Sequence, residues 1–284
     1  MLNISTTIKN DFSSLAIGCF DGLHLGHFKL IEYLDTNGAL LVIDKFKNQR
    51  KLCTYNDKVL LSKKEVIELD FDAIKNLDGK EFLSALKNTF NKIQHIIVGY
   101  DFCFGKDRKY LAEDIQNLSG IKTTVVSEFK LDGIGVHTSL IKELLYQAKF
   151  DKAKQFLGRA YAIKGELVKG QGIGSKELFA TLNLDCSEYF LPQNGVYATF
   201  SKIKEKMYKS VSFIGFRSSD SHFAVESHII EDFNEKLDVA EHIELQFIAF
   251  IRSNQHFDDF MLLKKQIIKD IACAREILRK VDER

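Results

Sequence analysis

With 284 residues, 45% of them apolar and 28% charged, the chain has the length of two ordinary domains and the composition of a globular protein. Forty basic against 39 acidic residues leave a formal charge of +1, which excludes a chain-wide field drawing in nucleic acid or an anionic membrane and favours small-molecule partners. No stretch has the length and apolarity of a membrane span or a secretory leader, and Cys19, Cys53, Cys103, Cys186 and Cys273 are scattered without a Cys-x-x-Cys, so the expectation is a cytoplasmic protein with reduced thiols. Nothing in the sequence fixes an oligomeric state.

Over the first 130 residues short β-rich runs alternate with helical patterns. The runs at 15–18, 39–44, 95–99 and 123–127 read as buried strands, and 25–35, 56–68 and 80–93 as amphipathic helices. Such alternation predicts a parallel α/β sheet with its ligand site beyond the carboxyl ends of the strands. The first strand enters Ala-Ile-Gly-Cys-Phe-Asp-Gly-Leu-His-Leu-Gly-His at 16–27, a glycine-punctuated turn with two histidines three residues apart. If the helix starts at Leu25, His24 and His27 share one face at its opening, where unpaired N–H groups favour an anion such as a polyphosphate. Gly18, Gly22 and Gly26 let the backbone approach that anion closely. A zinc site is the weaker reading, because the neighbourhood supplies no third ligand.

A helical pattern covers about 138–157, and at Gly158 the texture changes. Segments 161–168, 196–200, 210–216, 224–230 and 243–251 are strand-like with turns between them, the pattern of an antiparallel barrel or sandwich. Residues 258–282 follow as a long amphipathic helix with Phe260, Leu263, Ile267, Ile271, Ala274 and Leu278 on one stripe. The expected domains are therefore 1–157 and 158–284.

The 16–27 segment resembles the Gly-x-Phe-Asp-Gly-x-His-x-Gly-His element of the HxGH nucleotidylyltransferases, and specifically of the prokaryotic bifunctional riboflavin kinase/FAD synthetase family. Further segments are similar to that family in the same order. Val-Gly-Tyr-Asp-Phe-Cys-Phe-Gly-Lys-Asp-Arg at 98–108 resembles its Gly-x-Asp-Phe-x-Phe-Gly-x-x-Arg element, which implies that Asp101, Phe104 and Arg108 line the flavin and nucleotide cleft. His-Thr-Ser-Leu-Ile-Lys at 137–142 stands in place of Ser-Ser-Thr-Arg-Ile-Arg, keeping Thr138, Ser139 and Lys142 as phosphate partners. Alongside Asp21 and the three glycines of the first turn, these would form the nucleotide site, with His24 and His27 stabilising charge during adenylyl transfer.

Residues 157–184 look like the opening of the family's kinase domain. Gly170, Gly172 and Gly174 would fold a loop over ATP phosphates. Ala-Thr-Leu-Asn at 180–183 replaces Pro-Thr-Ala-Asn, and on an extended chain Thr181 and Asn183 face one side with oxygen ligands suited to Mg²⁺. The Leu-Pro-x-x-Gly-Val-Tyr-Ala run at 191–198, which holds Pro192, is a further match. Glu-Ser-His-Ile-Ile-Glu-Asp-Phe at 226–233 resembles the family's Glu-x-His-x-x-Asp-Phe, implying Glu226 as the general base and His228 as its structural neighbour.

The resemblance thus implies an α/β N-terminal nucleotidylyltransferase domain with a Rossmann-like parallel sheet of the HxGH type, and a C-terminal antiparallel β-barrel riboflavin kinase domain ending in a long α-helix. The implied activity is phosphorylation of riboflavin to FMN and adenylylation of FMN to FAD, with ATP as co-substrate and Mg²⁺ as cofactor. Leu140 replaces an arginine of the family element, 43–47 lacks its Pro-His-Pro, and Cys19 stands where many relatives have asparagine. Two alternatives therefore stay open, a kinase with a degenerate first domain and a non-catalytic flavin-binding protein.

Overall fold

The structure, a computed structural model, describes residues 11–45, 47, 49–169, 179–217, 221–234 and 236–282. The chain divides into two compact units, Met1–Thr138 and Ser139–Arg284. This division lies at 138/139 and not at the expected 157/158, because the helical stretch before the first barrel strand clusters with the second unit.

In the first unit β1 (Ser14–Gly18), β2 (Gly38–Asp44), β3 (Glu65–Asp70), β4 (His95–Gly99) and β7 (Lys122–Val126) form one sheet in the order β3-β2-β1-β4-β7. All four pairings are parallel, as the alternation of strands and helices predicts. The helices are α1 (Leu25–Ile31), α2 (Tyr55–Ser62), α3 (Phe71–Ile74), α4 (Gly79–Thr89) and α5 (Asp114–Ser119). Small hairpins β5 (Cys103–Phe104) with β6 (Tyr110–Leu111), and β8 (Lys130–Leu131) with β9 (Ile134–Gly135), complete the unit. Because strand side chains alternate between faces, β1 and its neighbours feed two cores. Leu15, Ile17, Leu41 and Val98 pack with Phe82, Leu86 and Ile115, while Ala16, Leu40, Val42 and Ile97 pack with Phe20, Leu23 and Leu30.

The helix expected over 56–68 is corrected to a helix followed by a strand. Lys63 adopts a left-handed φ of +54° and closes α2 by donating its N–H to the Val59 carbonyl. The chain then extends as β3, whose Val66, Ile67 and Leu69 are buried against the sheet. The apolar residues at 66, 67 and 69 fit a helical stripe and a two-sided strand equally well, and the left-handed residue decides between them.

In the second unit α6 (Thr138–Tyr146), which starts at the last residue of the first, and α7 (Phe150–Leu157) precede the barrel. Its strands are β10 (Ala162–Val168), β11 (Leu182–Asp185), β12 (Gly195–Ile203), β13 (Lys206–Phe216), β14 (Phe223–Ile229) and β15 (His242–Ser253). They close in the antiparallel order β10-β11-β14-β13-β12-β15. The four-residue β11 was not among the expected strands, being too short to show a period. The Phe150 ring of α7 stacks on Phe247 at 5.6 Å and meets the fully buried Tyr197 edge-on at 5.8 Å.

Five fully buried hydroxyls tie three barrel strands together. Thr199 and Ser201 of β12, Ser210 and Ser212 of β13 and Ser227 of β14 form a closed ring: Thr199–Ser210 2.8 Å, Ser210–Ser201 2.8 Å, Ser201–Ser227 2.9 Å, Ser227–Ser212 3.1 Å and Ser212–Thr199 2.7 Å. Burying so many hydroxyls is tolerable because each has partners. The last helix, α8 (Phe260–Asp282), lays Ile267, Ile271, Ala274 and Leu278 on Val196, Ala198 and Val211. At its start the expected stripe ends, with Phe260 40% exposed. Arg252 of β15 grips the buried Asp270 of α8 through Nε at 3.0 Å and Nη2 at 2.8 Å. No helix among the described residues is long and apolar enough to cross a membrane.

Candidate active sites

The turn after β1 bends through left-handed backbone at Phe20 (φ +48°), Gly22 (φ +88°) and Leu23 (φ +38°). Two of these are non-glycine residues in a costly conformation, and the full burial of both side chains holds them there. His24 then caps α1, its Nδ1 accepting the His27 N–H at 3.3 Å while its carbonyl accepts the same N–H at 2.8 Å. An accepting Nδ1 places the proton of the neutral ring on Nε2. The His24 and His27 rings stack with centroids 3.6 Å apart, so the two imidazoles share a face as expected. Gly26 makes this possible, since a Cβ there would sit 3.2 Å from two atoms of the His24 ring and 3.4 Å from the Val136 carbonyl.

Asp21 anchors the turn. Its Oδ1 accepts the Leu52 N–H at 2.6 Å and the Cys53 N–H at 3.3 Å, and its carbonyl accepts the Thr138 hydroxyl at 2.9 Å. Thr138 at the start of α6 is thereby tied to the histidine turn. Ser139 follows it and is exposed, whereas Lys142 lies with Nζ 5.7 Å from the centre of the Phe190 ring. Gly18 and Gly22 leave room for side chains: a Cβ at Gly18 would lie 3.3 Å from the Phe20 ring, and one at Gly22 2.8 Å from the Leu52 side chain.

β1 and β4 are adjacent, and the connections from them run to opposite sides of the sheet, which makes the crevice beyond their carboxyl ends the natural ligand position. Asp101 stands exposed beyond β4, on the far side of that crevice from the histidine turn. Burial raises the Cys19 thiol above its ordinary range, and the carboxylates of Asp21, Asp44 and Asp101 add to the shift against Lys45. Phe104 is largely buried: it is 5% exposed, stacks on Tyr110 at 5.5 Å and packs with Phe82 and Phe102. The half-buried Phe102 has more ring to present. Arg108 is exposed on a left-handed turn, where the neighbouring Cys103 raises its guanidinium above the ordinary range.

Sequence reasoning missed a polar cluster beside this crevice. Glu128, just beyond β7, accepts from His137 Nε2 at 2.9 Å and from Lys130 Nζ at 3.2 Å, and these bonds hold its carboxyl below the ordinary range. The Tyr100 hydroxyl is pushed above its ordinary range by burial and then by the Glu128 and Asp101 charges. Gly135 leaves the room for the pair, since a Cβ would meet Glu128 Oε1 at 2.2 Å and His137 Nε2 at 2.7 Å. The only sequence signal was a histidine next to Thr138.

In the barrel, Asn183 of β11 lies directly opposite Glu226 of β14. Arg217, just past β13, donates from Nη1 to Glu226 Oε1 at 3.3 Å and to Asn183 Oδ1 at 3.4 Å. Three polar groups from separate stretches of the chain thus meet at one point; Arg217 stands out in the sequence only as a charged residue after a strand-like run, with no role attached to it. His228, two residues along β14 from Glu226, hydrogen-bonds through Nδ1 to the Ala180 carbonyl at 2.8 Å and meets the Phe179 ring at 5.3 Å. It therefore fixes the segment that presents Thr181, which is exposed just before β11. Beyond His228 a cavity of about 450 Å³ opens, lined by Ile229, Ile230, Glu231, Asp232 and Arg275. Gly170, Gly172 and Gly174 lie outside the described residues. No cluster of three or more His, Cys, Asp or Glu side chains among the described residues has the arrangement of a metal cage. The Asn183 amide oxygen and the Thr181 hydroxyl are hard neutral donors, a set that fits Mg²⁺ sharing its shell with phosphate and water.

Comparison with known proteins covers both units. A family model of FAD synthetase matches residues 39–140, and one of riboflavin kinase matches residues 157–278. The bifunctional riboflavin kinase/FMN adenylyltransferase of Buchnera aphidicola subsp. Schizaphis graminum is 29% identical, with 94% of each chain covered. That of Bacillus subtilis is 28% identical over 91% of this chain and 90% of its own. Among solved structures, one titled a macrolide-efflux protein from Streptococcus pneumoniae superposes with a TM-score of 0.79 over 96% of both chains at 22% identity, a likeness of fold. With both family models matched in order along one chain and whole-length bifunctional relatives, the protein belongs to the prokaryotic bifunctional riboflavin kinase/FAD synthetase family.

Proposed function

We propose that the barrel transfers the γ-phosphoryl group of ATP to riboflavin, and that the N-terminal unit transfers the adenylyl group of a second ATP to the FMN formed. The observation that carries the kinase assignment is the convergence of Glu226, Asn183 and Arg217. Glu226 accepts the proton of the ribityl 5′-hydroxyl as that oxygen attacks the γ-phosphorus and ADP leaves. Thr181 and Asn183 would hold Mg²⁺, which neutralises phosphate charge when bound. Gly170, Gly172 and Gly174 are assigned to the ATP phosphates on the family resemblance.

In the other half-reaction an FMN phosphate oxygen attacks the α-phosphorus of ATP and pyrophosphate leaves, with no covalent enzyme intermediate. His24 and His27, held by capping and stacking, direct ring N–H groups at the charge that builds on the transferring phosphoryl. Thr138, Ser139 and the glycines Gly18, Gly22 and Gly26 border the phosphates, with Asp21 as their anchor; Asp101 and Arg108 flank the flavin side. The partners are riboflavin, FMN, FAD and ATP, and the compartment is the cytoplasm, a reading supported by five cysteines among which no disulfide forms.

A kinase acting alone is the second reading, favoured by the position of Lys142 over Phe190 and by Leu140 where the family has an arginine. The test is incubation with MgATP and either riboflavin or FMN, with the flavins separated by chromatography. FAD from both substrates is expected. Riboflavin converted only as far as FMN would establish the second reading, and no product from either would overturn both.

A further inference from the structure

We propose that Arg217 is a positioning residue for riboflavin phosphorylation, aligning the proton acceptor Glu226 with Asn183 through one guanidinium nitrogen. The inference rests on the reading of Glu226 as that acceptor. The backbone of Arg217 is itself fixed: its N–H donates to the His222 carbonyl at 3.0 Å, and its carbonyl accepts the Ser221 N–H at 3.0 Å. One residue earlier, the Phe216 carbonyl accepts Asn254 Nδ2 at 3.0 Å. Gly215, with φ +151°, admits that asparagine, since a Cβ would lie 2.9 Å from Nδ2. The base of the side chain is thus held from both flanks, and its tip spans from the end of β13 across β14 to β11.

A cross-strand pair alone sets the Cα positions of Asn183 and Glu226 but leaves the carboxylate free to turn about its last torsion. A bond from Nη1 to Oε1 removes that freedom, and the second bond to Asn183 Oδ1 gives both side chains a common reference point. The Arg217 and Glu226 side chains are 21% and 19% exposed, so water does not fully replace the contact if it is lost. The planar, delocalised guanidinium suits a shared contact of this kind, whereas a lysine would offer a point charge on a mobile stem. Misplacing a reacting group by about 1 Å costs on the order of 10²-fold in rate.

The test is steady-state riboflavin phosphorylation by the full chain carrying Arg217→Ala, with and without millimolar guanidinium chloride against an equal concentration of sodium chloride. The expected result is a loss of kcat on the order of 10²-fold with KM for riboflavin within a few-fold of the unsubstituted protein, and partial, saturable recovery by guanidinium alone. Arg217→Lys should recover less than guanidinium does. FAD formation from supplied FMN and the thermal unfolding profile report whether the variant is folded. A kcat within about threefold of the unsubstituted protein, or a loss in a folded variant that guanidinium does not reverse, would overturn the positioning role. If Glu226→Gln phosphorylates riboflavin at the unsubstituted rate, it is the assignment of Glu226 that fails, and Arg217 loses its role with it.

Discussion

Gly26 shows how much of the N-terminal site depends on an atom that is missing. It lies in the first turn of α1, where alanine favours helix by about 1 kcal/mol, so Gly26→Ala should leave stability near its starting value. The new Cβ would press on the His24 ring and the Val136 carbonyl, and the ring is the part that can move. FAD formation from FMN should fall by at least about tenfold while riboflavin phosphorylation is unchanged; equal rates of FAD formation would show that the ring's position is immaterial. The shared face of His24 and His27 was legible because local spacing predicts local geometry, whereas Thr138 entered only through the family resemblance. Arg217 and Glu128 were not legible, because each acquires its meaning from strand register and hairpin closure, which bring together residues 9 to 34 positions apart. The burial of Phe104 was not legible either: an aromatic at a strand end has the same appearance in sequence whether it faces a cleft or a core.

Among the elements, the parallel strands and the long last helix were legible from continuous apolar runs and a 3.6-residue stripe. β3 was not, since two-sided burial erases the strand period and Lys63 has no side-chain feature that marks a left-handed residue. Pattern also could not show what fixes α8 to the barrel. Ile271, Ala274 and Leu278 supply an apolar contact, but it is the Arg252–Asp270 pair, 18% and 5% exposed at the side chains, that sets the helix's position along it. Asp270 also accepts from Gln266 Nε2 at 2.9 Å. Removing the carboxylate leaves a largely buried guanidinium without its partner, so Asp270→Ala should destabilise the second unit by about 3 kcal/mol. Chemical denaturation monitored through riboflavin phosphorylation measures this, and a midpoint unchanged from the unsubstituted protein would place the anchoring in the apolar contact alone.

For the whole molecule, two units with different architectures hold two half-reactions whose order is chemical: the product of the barrel is the substrate of the parallel sheet. Each unit solves its own problem of presenting polar groups from an apolar frame. The sheet does so with loops beyond strand ends, and the barrel with residues on its strands and immediately next to them, where precision depends on the rigidity of the wall. The hydroxyl ring inside that wall has a consequence for how mutations combine. A ring has no terminus, so every oxygen has a neighbour on each side; deleting one member converts it to an open chain with two frayed ends in a space sealed from solvent. Any single Ser→Ala at 201, 210, 212 or 227 should therefore cost about 1–3 kcal/mol, with similar values at all four. A second deletion meets a circuit that is already broken, so Ser201→Ala with Ser212→Ala together should cost less than their sum, and strict additivity in that cycle would mean that the five hydroxyls act as separate pairs.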